Sequence, residues 1–292
     1  MSRKFSGTGV ALVTPFDQEM TPDFPAYEKL LQYVSEDNWV DYLVVQGTTG
    51  ESVTTTAEEK TALLRFTIEH NPRNLPIVYG LGGNNTEAVL DDIRNADLQG
   101  VDALLSVSPY YNKPHQAGII RHYTTLADAS PVPLILYNVP NRTSSNLSAE
   151  TTLRLAEHDN IIGTKEASGS LKQAMAISRH KPKDFYLISG DDMLTVPLMS
   201  IGAEGVISVM ANGFPQIFRE MVHAALAGDF TKATKAAFKL ADMNSLMYEE
   251  SNPVGIKAVL AAKGVCHSRV RLPLLPVSDD LNDRISEVLK KM

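Results

Sequence analysis

Lys165 directly follows the apolar run Ile161-Ile162-Gly163-Thr164. A lysine in that position has two uses: it pairs with a carboxylate such as the adjacent Glu166, or it presents its amine to a pocket. A solvated lysine amine, with a pKa of about 10.4, is only about 0.1% neutral near physiological pH and is a poor nucleophile. An amine desolvated in a pocket holds a larger neutral fraction and condenses with a ketone to a Schiff base. The segment Gly47-Thr48-Thr49-Gly50-Glu51-Ser52 is a second candidate. Its glycines allow backbone amides to converge on a carboxylate or phosphate, and a tight strand-to-helix turn accounts for it equally well. It lacks the Lys-Ser/Thr ending of a nucleotide-binding P-loop, and Gly80-Leu81-Gly82-Gly83 has Asn85 where a dinucleotide loop has its third glycine. Tyr137 and Tyr111 stand near the ends of two further apolar runs, as packing residues or as acid–base groups. Arg142 follows a proline and suits either a surface ion pair or a bidentate carboxylate clamp. Asp191-Asp192 reads as a helix start at Asp192 rather than as a metal site. The seven histidines form no HxH or HxxxH pair, so no metal is expected. The single cysteine, Cys266, reads as a packed side chain.

These residues need a frame. Short apolar runs occur at 9–13, 42–46, 77–80, 103–106, 134–138, 161–164, 186–189 and 205–209, their ends 20 to 34 residues apart. Each gap holds a helix and two loops. Tyr27, Leu30, Leu31 and Val34 show helical spacing, Thr56-Ala57-Glu58-Glu59 is a capping box, and Ser148 is a helix start. Continuous apolar runs belong to parallel strands covered on both faces. Eight such units predict an α/β fold, a closed (β/α)8 TIM barrel, over an open doubly wound sheet. The barrel is expected over 1–228, its last helix running from 215 to about 227. A C-terminal helical domain is expected over 229–292, with helices at 230 to about 250, 253 to about 263 and 278–291. In a barrel the active site lies at the C-terminal strand ends, which is where the candidate residues fall.

The 292-residue chain is 43% hydrophobic with a net charge of −7, which suits a large core and argues against nucleic acid as a partner. No run of 18 apolar residues predicts a membrane span, and residues 1–6 show no apolar signal core. A cytoplasmic protein is expected, with the sequons at Asn84, Asn141 and Asn146 arising by chance.

The collected motifs resemble the 4-hydroxy-tetrahydrodipicolinate synthase (dihydrodipicolinate synthase) family of pyruvate-dependent class I aldolases. They are the loop at 47–52, Pro109-Tyr110-Tyr111-Asn112-Lys113-Pro114, Tyr137-Asn138-Val139-Pro140-Asn141-Arg142-Thr143, Gly163-Thr164-Lys165-Glu166-Ala167-Ser168-Gly169 and Ser189-Gly190-Asp191-Asp192. The resemblance runs from about Gly7 to near Lys290 and implies the same barrel with C-terminal helices. It implies a lyase that condenses pyruvate with L-aspartate 4-semialdehyde, the first committed step toward diaminopimelate and lysine. Lys165 would form the imine, and the amides of Thr48 and Thr49 would hold the pyruvate carboxylate. Tyr137 would be the general acid–base, and Thr48 would link it to Tyr111, supplied by a neighbouring subunit. Arg142 would bind the semialdehyde carboxylate, and Gly190 and Ile207 would line the pocket. No cofactor is implied, and the assembly would be a homotetramer made of two tight dimers. N-acetylneuraminate lyases and 2-keto-3-deoxy sugar acid aldolases share the lysine and tyrosine but generally lack the arginine, so Arg142 and Tyr110-Tyr111 favour the synthase. A non-catalytic barrel would have lost Lys165 or Tyr137. Many members of the family are inhibited by lysine at a cleft between subunits. Ser52, Asn84 and Tyr110 retain that pattern here, whereas Ala57, Lys60 and Ala88 depart from it. Weak or absent inhibition is the expectation.

Overall fold

A computed structural model describes residues 3–292. Eight strands close into a parallel barrel in sequence order: β1 (Gly7–Ala11), β2 (Tyr42–Val45), β3 (Ile77–Gly80), β4 (Ala103–Val107), β5 (Leu134–Asn138), β6 (Ile161–Glu166), β7 (Tyr186–Ser189) and β8 (Gly205–Ser208). Closure is completed by β8 against β1, with Gly9 opposite Ile207. All eight apolar runs are strands of this barrel; three differ from the reading of the sequence by one residue at an end, and the first and sixth by two. The first strand begins and ends two residues earlier, because Leu12 already leaves the ladder to bond Val44 alone. The sixth continues through Lys165 and Glu166, which pair with Ile188 and Ser189. Lys165 is therefore part of the strand and not the residue after it.

Strand side chains alternate between two compartments. Ala11, Tyr42, Val44, Val78, Leu105, Ile135, Ile188 and Ile207 pack inside the barrel. Val10, Leu43, Val45, Ile77, Leu104, Leu134, Leu136, Leu187 and Val206 face the helical shell. Both faces are dry, which is why the runs are apolar without alternation. The N-terminal mouth is plugged by Phe5, whose ring makes edge contacts with Tyr42 and Tyr186 at centroid distances of 5.7 Å. Two glycines make room for these aromatics. A Cβ on Gly9 would lie 2.2 Å from the Tyr42 ring, and one on Gly163 would lie 2.7 Å from Tyr186 Cβ.

Local signals set the helices. The Thr56 capping box opens the helix Ala57–Glu69, and Ser148 caps Ala149–Leu155. Asp192 does not start a helix. Asp191 instead accepts from the Met193 and Leu194 amides ahead of Thr195–Ser200, while Asp192 turns inward and accepts from Val209 N (3.2 Å), Met210 N (2.9 Å) and Tyr248 Oη (3.1 Å).

After Pro215–Leu226 the chain forms Phe230–Phe238, Ala241–Glu249, Val254–Ala262 and Asp279–Leu289. The single helix expected from 230 to about 250 is broken at Lys239-Leu240. Phe230–Phe238 follows Pro215–Leu226, whereas Ala241–Glu249 must cross Val254–Ala262, where Gly255 lets the Met247 backbone approach within 2.7 Å of a Cβ position. One straight helix cannot do both. Ile256 and Val259 of Val254–Ala262 pack onto Gly213, at the loop that leaves β8.

The plug fixes a stability prediction. Phe5→Ala should cost about 3–5 kcal/mol, since the rigid rings around it cannot collapse into the space left behind. Denaturant unfolding should show a lower midpoint at unchanged slope, and an unaltered midpoint would mean that the mouth is not packed as described.

Candidate active site

Lys165 and Tyr137 share one inward layer because the ladder sets them opposite each other on neighbouring strands. Lys165 is 5% exposed, and its Nζ lies 4.3 Å from the centre of the Tyr137 ring. Among the described residues, no ion pair or hydrogen bond holds that amine. Glu166, the obvious partner, points the other way by strand alternation and accepts from Asn138 Nδ2, Ser168 N and Gln173 Nε2. The amine thus projects into the C-terminal half of the barrel against an aromatic face, free for chemistry. Gly190 makes room for it, since a Cβ there would lie 3.0 Å from Lys165 Cγ and 3.1 Å from Cε.

The loop after β2 forms a single 3-10 turn, Thr48–Gly50. The amides of Gly50 and Glu51 close that turn on Gly47 and Thr48 carbonyls, whereas the Thr48 and Thr49 amides have no partner among the described residues. The loop is tied down on several sides. Thr14 Oγ1 donates to Gly50 O (2.7 Å), and Gln46 spans Thr14 (3.3 Å) and Thr55 (2.9 Å). Asn252 Nδ2 donates to Thr49 Oγ1 (3.1 Å). Glu51 takes a left-handed conformation at φ 55° and sends its carboxylate into the core. There Lys257 Nζ donates to Oε1 (2.5 Å) and the Arg271 amide to Oε2 (2.9 Å).

A cleft of about 450 Å³ opens beside these groups. Gln46, Gly47, Thr48, Gly80, Gly82 and Tyr137 form its inner wall, and Ser52, Ala57, Lys60, Asp92 and Tyr110 its outer end. Thr48, Tyr137, Ser52 and Tyr110 are therefore brought together. Asn84 joins them by donating to Tyr110 O (3.2 Å). Ala88 is not on the wall, and neither is Lys165, which meets the cleft through Tyr137. Ile207 is buried in the barrel interior, at the β8 position facing Gly9. Arg142 sits exposed on the short turn Pro140–Thr143, with no partner in the chain. Tyr111 is 84% exposed, at φ 75°, and makes no contact with Thr48 or Tyr137 within one chain. Among the described residues, no group of three or more His, Cys, Asp or Glu side chains converges as a metal site would require. Cys266 is half-buried, and burial pushes its thiol up to about 11.

Of two buried groups beneath the site, the sequence reading missed Lys257 and took Asp192 for a helix start. Lys257 is fully buried, and desolvation lowers its pKa against the pull of Glu51. Its signal was a lone lysine in the apolar run Val254-Gly255-Ile256-Lys257-Ala258-Val259-Leu260, more than 200 residues from its partner. Asp192 and Tyr248 form the second. Burial raises the Asp192 carboxyl against the bonds from Met210, Ser208 and Tyr248, and burial together with Asp192 raises the Tyr248 phenol.

Comparison with known proteins places this geometry. The profile of the dihydrodipicolinate synthetase family matches residues 4–292. The 4-hydroxy-tetrahydrodipicolinate synthase of Cytophaga hutchinsonii is 49% identical over 288 residues, covering 99% of this chain and 97% of that protein. A pyruvate complex of the dihydrodipicolinate synthase from Acinetobacter baumannii superposes with a TM-score of 0.94 at 37% identity, covering 98% of each chain. The lysine-bound enzyme from Cyanidioschyzon merolae superposes with a TM-score of 0.94 at 35% identity, covering 99% of this chain and 98% of that one. The chain, matched over residues 4–292 and carrying a barrel lysine against a tyrosine ring, belongs to the dihydrodipicolinate synthetase family.

Proposed function

We propose that the protein is a lyase that condenses pyruvate with L-aspartate 4-semialdehyde to 4-hydroxy-tetrahydrodipicolinate, a step of lysine and diaminopimelate biosynthesis. The observation that carries this reading is the amine of Lys165, inward, 5% exposed and 4.3 Å from the Tyr137 ring without a carboxylate partner. The Lys165 amine adds to C2 of pyruvate and water leaves, giving the imine. Loss of a C3 proton yields the enamine, whose C3 attacks the aldehyde carbon. The amine of the new chain then attacks C2, displaces Lys165 and closes the ring. Tyr137 is the proton carrier for these steps, since its ring already abuts the reacting nitrogen. The free Thr48 and Thr49 amides hold the pyruvate carboxylate. Gly190 and Ile207 shape the space around the imine, and Arg142, unpaired at the rim, clamps the carboxylate of the second substrate.

No metal or cofactor takes part in this scheme. Tyr111 completes the Thr48–Tyr137 relay from a neighbouring subunit, which suits its exposure; the assembly we propose is a homotetramer of two tight dimers, acting in the cytoplasm.

The acceptor is the first test. Purified protein should consume pyruvate rapidly with L-aspartate 4-semialdehyde and not with N-acetylmannosamine. Consumption with the sugar alone would move the function to sialic-acid cleavage. Borohydride reduction in the presence of pyruvate should add the pyruvate skeleton to Lys165 by mass spectrometry. Lys165→Ala should lose both adduct and turnover while keeping its circular dichroism, and near-normal turnover in that variant would refute the imine.

Arg142→Ala should raise KM for the semialdehyde by about one to two orders of magnitude, the loss of a charge-assisted bidentate contact, and spare the pyruvate step. Equal damage to pyruvate binding would remove Arg142 from the acceptor site.

L-lysine should inhibit weakly if at all. The cationic Lys60 lines the outer end of the cleft along with Asp92 and costs Coulomb energy against a cationic ligand, and Ala57 and Ala88 offer no carboxylate to offset it. Half-inhibition at sub-millimolar lysine would contradict this.

A further inference from the structure

We propose that Lys257, through its buried ion pair with Glu51, is a positioning residue for the pyruvate site. This rests on the reading of the Thr48 and Thr49 amides as the carboxylate cradle. The pair is sealed from solvent, with side-chain exposures of 0% for Lys257 and 2% for Glu51. Both carboxylate oxygens are taken by groups from the C-terminal part of the chain, Oε1 by Lys257 Nζ and Oε2 by the Arg271 amide (2.9 Å). Lys257 is itself braced by Arg269 O at 2.7 Å and by the Phe16 ring at 4.3 Å.

Glu51 is the residue that closes the turn: its amide donates to Thr48 O at 3.1 Å. It does so in the left-handed region, at φ 55°, where a side chain is costly and glycine would serve more cheaply. A glycine, however, has no carboxylate to anchor. The ion pair therefore holds the backbone of the residue that closes the turn presenting the Thr48 and Thr49 amides. Asn252, five residues before Lys257, ties Thr49 Oγ1 to the same C-terminal element. A buried ion pair is a poor source of stability compared with apolar packing, so stability alone does not account for placing one beneath this turn.

The test uses full-length protein and varies each substrate at saturation of the other. Lys257→Met should raise KM for pyruvate about tenfold or more, with kcat within about threefold and KM for the semialdehyde within about twofold. Glu51→Gln, which keeps an acceptor for the Arg271 amide, should give a smaller rise. The paired variant Glu51→Gln/Lys257→Met leaves no lone buried charge, so its melting temperature should recover toward wild type while KM for pyruvate stays raised. A purely structural role predicts the opposite, recovery of both together. The proposal is overturned if pyruvate KM is unchanged in folded Lys257→Met, if the paired variant regains the wild-type KM, or if neither variant folds. A wild-type protein that forms no reducible pyruvate adduct would instead remove the cradle reading itself, before any variant is made.

Discussion

Strand alternation inside a closed parallel barrel is the constraint on which the rest depends. With both faces of every strand dry, each residue is committed to the interior or to the helical shell, and a shift of one position exchanges the two. On β6 this commitment sends Lys165 inward and Glu166 outward, so adjacent opposite charges never meet. On β5 it sends Tyr137 inward, and the β5–β6 register sets it opposite Lys165. The amine is left unpaired by geometry, which keeps it available for a carbonyl. The interior below it is filled by Phe5, Tyr42 and Tyr186, which leaves the amine facing the C-terminal end of the strands, where barrel enzymes place their chemistry.

The second requirement is a rigid loop where a mobile one would be expected. The segment 47–52 is tied by Thr14, which follows β1, and by Asn252 and Lys257 from the C-terminal part of the chain, while Gln46 braces Thr14 and Thr55 on either side of it. Two non-glycine residues, Gln46 just before it and Glu51 within it, lie at positive φ. Such conformations persist only where the surroundings over-determine them, and here each of the two has a buried side chain held by hydrogen bonds. Stiffness of this kind keeps backbone amides aimed before a ligand arrives, which is where hydrogen-bond donors gain most over water. The C-terminal helices thus serve the barrel's working end and do more than cover its side.

Much of this was legible in the chain. Eight apolar runs with helical gaps mark the barrel because parallel strands and their crossovers leave a periodic imprint, and a lysine closing one run is conspicuous. Thr56 and Ser148 were readable because capping is local. Asp192 was misread because a capping aspartate and a buried one look alike in sequence, and the difference lies in Tyr248, 56 residues further on. The break at Lys239-Leu240 was invisible for a similar reason. Helical periodicity continues through it, and only the crossing at Gly255 forces the turn. The Glu51–Lys257 pair spans 206 residues, beyond any local pattern.

The site divides by stiffness. Lys165, Tyr137 and Ile207 project from strands, and Thr48 and Thr49 from a pinned turn, whereas Arg142 and Tyr111 stand on exposed segments at the rim. The groups assigned to pyruvate are the fixed ones, and those assigned to the acceptor and to the neighbouring subunit are the adaptable ones. Imine chemistry tolerates little displacement of its amine and proton carrier, so it belongs on the sheet. Acceptor choice needs only that a few rim side chains present the right charge, so it belongs on the loops. A barrel partitioned in this way can change its second substrate by substitution at the rim without disturbing the layer that activates the first. Under the proposed roles, that places discrimination between a carboxylate-bearing aldehyde and a neutral sugar on Arg142 and not on Lys165.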